Sequence, residues 1–95
     1  MASVIATYTW SGDPADIQSK YDAVLPGVVK AVAKRPDIHV AAQTADGFRV
    51  VDVWDSQADC SAMLDSAAVK TLFADNGLAD VDVEVRPVHR LGWPA

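Results

Sequence analysis

Ninety-five residues with 51% hydrophobic content and a net charge of −5 describe one small globular domain, too short for two and too apolar for disorder. The acidic balance, with thirteen Asp and Glu against eight Lys and Arg, argues against nucleic acid or anionic membrane as a partner. A single cysteine, Cys60, excludes an internal disulfide and suits a reducing, cytoplasmic setting. No basic-then-apolar leader and no membrane-spanning run is expected, and nothing suggests a second domain within 1–95.

Ser3 to Trp10 reads as a strand rich in β-branched and aromatic residues. Val4, Ala6, Tyr8 and Trp10 share one face of it; Ile5, Thr7 and Thr9 share the other. Asp13 followed by Pro14 is a good helix start, a capping carboxylate before a residue whose φ is already helical. Ile17, Tyr21, Val24, Leu25, Val28 and Val32 follow at helical spacing. Pro26-Gly27 interrupts them, which predicts two helical pieces, about 14–25 and 27–34, with a kink between.

Next comes the stretch D-G-F-R-V-V-D-V-W-D at 46–55. Asp46-Gly47 between apolar runs predicts a two-residue type I′ hairpin turn. That register sets Ala45 opposite Phe48, Gln43 opposite Val50, Ala41 opposite Asp52 and His39 opposite Trp54, with His39 and Asp52 only diagonal neighbours. All of these side chains share one face. The other face carries Ile38, Val40, Ala42, Arg49, Val51 and Val53, so both sides of the hairpin are largely apolar. A half-solvated sheet alternates more cleanly. Helices are therefore expected over one side and a second copy of the chain over the other.

Ser56 is the expected cap of a second helix whose stripe is Cys60, Met63, Leu64 and Ala67, continued by Leu72 and Phe73 after a bend near Ser66. Asn76-Gly77 stops it. The last strand runs from Asp80 to about His89, with Val81, Val83 and Val85 on one side; Pro87 within it argues for a sheet edge or a bulge. The order β-α-β-β-α-β with right-handed crossovers predicts an α+β ferredoxin-like plait, a four-stranded antiparallel sheet in order 4-1-3-2 with both helices on one face.

In this order, and in G-F-R-V-V-D-V-W-D-S at 47–56 and V-E-V-R-P-V-H-R-L at 83–91, the chain resembles the antibiotic-biosynthesis-monooxygenase-like family of dimeric α+β barrels. The resemblance implies a homodimer through the sheet face and a cavity between sheet and helices faced by Trp54. Haem-degrading relatives carry a histidine on the second helix; the matching stretch Met63-Leu64-Asp65-Ser66 has none. The chain's one asparagine, Asn76, sits at a helix stop rather than in the Asn-Trp-Tyr set of the oxygenase members.

Asp52 is the most informative candidate: a carboxylate between Val50 and Trp54 on a covered face is either a base with raised pKa or an anchor for a substrate hydroxyl, unless Arg, His or backbone donors merely satisfy it. His39 is the candidate proton shuttle beside it, against the plainer reading of a strand-end histidine. Trp54, Tyr8, Trp10 and Phe48 are the candidate substrate-binding residues, though strand aromatics are commonly core. Cys60 on an apolar stripe is a poor nucleophile, and His39 and His89 lack metal-ligand spacing. His89, past Pro87, has no assigned facing. The expectation is an enzyme without metal, flavin or other cofactor, acting on a hydrophobic aromatic or polyketide-type substrate by oxygenation, or by base-driven cyclisation or isomerisation. The alternative is a non-catalytic dimeric module that binds a hydrophobic ligand or a partner protein.

Overall fold

The computed structural model describes residues 3–94. Seven elements follow in order: β1 (Val4–Ser11), α1 (Pro14–Ala31), β2 (Ile38–Thr44), β3 (Gly47–Trp54), α2 (Gln57–Leu64), α3 (Ala67–Asp75) and β4 (Asp82–Pro87). The strands form one antiparallel sheet in order β2-β3-β1-β4, the expected plait, with β4 and its Pro87 at an edge. All three helices cover one face. Ile17 and Val24 of α1, Cys60 and Met63 of α2 and Val69 of α3 pack with Ala6, Tyr8, Trp10, Phe48, Val50 and Trp54 in a single core.

The caps form as their chemistry requires. Asp16 N–H donates to the Asp13 carboxylate, Asp59 N–H to Ser56 Oγ, and Val69 N–H to Ser66 Oγ. Ser66 thus ends the expected bend as a clean break between two short helices. The first helix, by contrast, does not divide at Pro26-Gly27; α1 is continuous from Pro14 to Ala31, with Pro26 inside it and Val32 as its C-cap. Proline removes one helical bond, but packing on both flanks, Val24 before it and Val28 after it, holds the axis together. Gly27 is the point of closest approach to α3, since a Cβ there would meet Leu72 Cδ2 at 3.0 Å.

The hairpin departs from expectation by two residues. Its turn is Ala45-Asp46, and the observed pairs are Thr44–Gly47, Gln43–Phe48, Ala41–Val50 and His39–Asp52. No residue of the turn has positive φ, so it is not type I′. Gly47 is needed for another reason: it opens β3 beside the end of β1, opposite Ser11, where a Cβ would lie 1.9 Å from the Trp10 carbonyl oxygen. Gly12 N–H donates to the Asp46 carbonyl at 2.9 Å and fastens the hairpin tip to the end of β1. Because side chains alternate with period two, an offset of two leaves every residue on its expected face but changes its cross-strand partner.

Candidate active site

The offset places His39 directly opposite Asp52. His39 Nδ1 and Asp52 Oδ1 are 2.5 Å apart, and His39 Nε2 lies 2.5 Å from the hydroxyl of Tyr21 on α1. The two aromatic planes are 11° apart, with ring centroids 6.0 Å from each other. An ionised Asp52 accepts from Nδ1–H, which leaves Nε2 as the acceptor of the Tyr21 O–H. Three residues from three elements thus form one directed chain, Tyr21 to His39 to Asp52. Tyr21 is the residue that the sequence did not mark; its position on the apolar stripe of α1 reads as core until α1 is laid across β2.

The electrostatics follow from burial. The Asp52 side chain is 5% exposed and that of His39 35%. Burial pushes the Asp52 carboxyl above the usual carboxylate range; its bond to His39, the His39 charge and Tyr8 pull against that without overcoming it. Burial also raises the Tyr21 hydroxyl, helped by the charges of Asp52 and Asp22. Tyr8 is raised further, first by burial, then by Asp52 and Cys60, so its hydroxyl is neutral at any ordinary pH. The Cys60 thiol is raised by burial and by Asp52, which fits an inert core cysteine.

A cavity of about 230 Å³ opens beside this chain, below the roughly 300–1,000 Å³ of a typical small-molecule site. Leu25, Val28, Val29 and Val32 wall one side and Trp54 and Met63 the other; His39, Asp52 and Arg35 are its polar members. An adjoining cleft of about 50 Å³ runs under Tyr8, Trp10 and Tyr21 and shares His39 and Asp52. Beyond Tyr8 lies a third space of about 240 Å³ bounded by α3 and β4. Met63 borders all three.

Of the residues singled out from sequence, His39, Asp52 and Trp54 line the main cavity and Tyr8 the two spaces next to it. Trp10 borders the narrow cleft but is tied into the core, its Nε1–H donating to the Leu78 carbonyl at 2.9 Å. Phe48 is buried between Trp10 and Tyr21. His89 is exposed, beyond the end of β4. Among the described residues no three His, Cys, Asp or Glu side chains converge as a metal site would require, and no helix is long and apolar enough to cross a membrane.

No protein-family model matches the chain, and no curated protein sequence does. Solved structures do. They share its α+β fold, and some of them are described as oxygenases or monooxygenases. A cofactor-independent oxygenase from Streptomyces nogalater, SnoaB, superposes with a TM-score of 0.69 over 100% of both chains at 15% identity. A protein of unknown function from Nitrosomonas europaea gives 0.70 over 100% of this chain and 97% of that one, at 16% identity. A candidate antibiotic biosynthesis monooxygenase from Chloroflexus aurantiacus gives 0.64 over 99% and 98%, at 19%. At these identities the likeness is one of fold.

Proposed function

We propose that the chain is a cofactor-independent enzyme that removes a proton from a hydrophobic, aromatic or polyketide-type substrate held between α1 and the sheet. The observation that carries this reading is the Tyr21–His39–Asp52 chain, whose His39 and Asp52 line an apolar cavity while Tyr21 borders the narrow cleft that adjoins it. Asp52 fixes the Nδ1–H tautomer and stabilises the imidazolium, so Nε2 is the basic atom. Tyr21 hands its proton to Nε2 as it takes one from the substrate, or turns aside so that the substrate meets Nε2 itself. The carbanion or enolate formed supplies its own electrons to dioxygen, giving monooxygenase-like chemistry; the same anion also serves a cyclisation or isomerisation. The volume of the main cavity suits one or two rings, with the remainder of a larger substrate reaching past Met63 or out to solvent.

The reading includes a second copy of the chain over the open sheet face, where Ile38 and Val40 are 41% and 53% exposed. The test is turnover of hydroxylated aromatic ketones in air, with binding followed by calorimetry. Wild type turns one over; Asp52→Asn binds it with similar affinity and loses 100-fold or more in kcat, within the ~10²–10⁴ that a general base contributes. Ligands that bind without any turnover by wild type refute the enzyme and leave a binding module.

A further inference from the structure

Arg35 lies in the connection between α1 and β2 and, among the described residues, is the one Lys or Arg that lines the main cavity. Its surroundings contrast with those of its neighbour. Lys34 Nζ is held by Asp55 at 3.1 Å and Asp59 at 3.0 Å, and Arg86 reaches Glu84. Arg35 has no ion pair within 4 Å among the described residues, in a chain with thirteen acids. The one carboxylate that the described residues place on the cavity lining, Asp52, is already engaged by His39.

A chain of net charge −5 repels anions at long range, so an anion enters only where a local cation receives it. A guanidinium is always charged and its planar fork matches a carboxylate with two parallel hydrogen bonds. Around it the lining is aliphatic or aromatic, from Leu25, Val28, Val29 and Trp54. We infer that the ligand of this cavity is an aromatic acid, its ring among these side chains and its carboxylate on Arg35, which makes Arg35 a specificity-determining residue. This rests on the proposed use of the cavity as the substrate site, and it narrows that substrate to the class bearing a free carboxylate away from the reacting carbon.

The experiment compares an aromatic carboxylic acid with its methyl ester, by calorimetry, at low and high salt. Wild type binds the acid at least ten-fold more tightly, and the preference shrinks as salt rises. Arg35→Gln equalises acid and ester without weakening the ester, Arg35→Lys keeps part of the preference, and Lys34→Gln keeps all of it. Equal affinities in wild type, or a preference that survives in Arg35→Gln, overturn the inference. The two proposals fail separately. A preference for acid with no turnover of either compound removes the catalytic reading alone. Turnover of the ester that depends on His39, with no preference for acid, removes the role of Arg35 alone.

Discussion

Asp52→Asn separates what the buried carboxylate does for the fold from what it does for the chemistry. The side chain is 5% exposed, and the net effect of its surroundings is a native pKa above the unfolded value, with burial the largest cause. A carboxyl raised in this way binds its proton more tightly when folded. Its ionised form therefore penalises the fold at neutral pH, and the penalty fades as pH falls through the raised native pKa toward the unfolded value. Each unit of elevation corresponds to about 1.4 kcal/mol at neutral pH. Asparagine removes the charge, and its carbonyl still accepts from His39 Nδ1–H. The variant is expected to be at least as stable as wild type at pH 7. In a domain of this size each kcal/mol gained would read as a rise in Tm of roughly 4–8 °C. The advantage shrinks steadily in urea unfolding series taken from pH 7 down to pH 4. A variant less stable than wild type by more than about 1 kcal/mol at pH 7, with the gap closing at low pH, would refute the reasoning. It would mean that the ionised pair with His39 outweighs the cost of burying it.

Tyr21→Phe removes one hydrogen bond to a partly exposed imidazole and should cost about 0.5–1.5 kcal/mol in chemical denaturation. Gly47→Ala drives a methyl group into the Trp10 carbonyl and should cost at least the ~1–3 kcal/mol of an overpacked site, read as a fall in urea midpoint. A change of under 0.5 kcal/mol would show that the hairpin tip does not lie against β1. Val40→Asp places a charge on the open sheet face, midway along the edge strand β2, where the side chain is already half exposed, so the monomer keeps its stability. Sedimentation should show the dimer weakened ten-fold or more, and wild type that sediments as a monomer would remove the second copy from the account.

The architecture was legible because it rests on local chemistry. Alternation along β1 and β3 assigns both faces, Asp13-Pro14 and Ser56 mark the helix starts, and Pro87 marks an edge. Pro26 misled because propensity speaks for an isolated helix, whereas α1 is held on both sides of the proline by the core. Gly47 misled because glycine has two uses. Read as a turn residue it sets one register; as a residue without a Cβ under a neighbouring carbonyl it sets another, two residues away. That offset is the difference between a diagonal and a direct His39–Asp52 pair. Tyr21 was hidden for a different reason: its partner is eighteen residues away on another element, and no local pattern encodes how α1 docks over β2.

The central claim is that His39, held by Asp52, takes a proton from a ligand in the cavity beneath α1. Oxygen chemistry obscures this step, so it is best watched without oxygen. An aromatic ketone with one activated C–H is incubated anaerobically with the protein in deuterium oxide, and exchange at that carbon is followed by NMR. Rapid exchange is expected with wild type, and at least a hundred-fold slower exchange with His39→Gln at equal ligand occupancy. Equal rates in the two proteins, or no exchange with wild type at saturation, would contradict it.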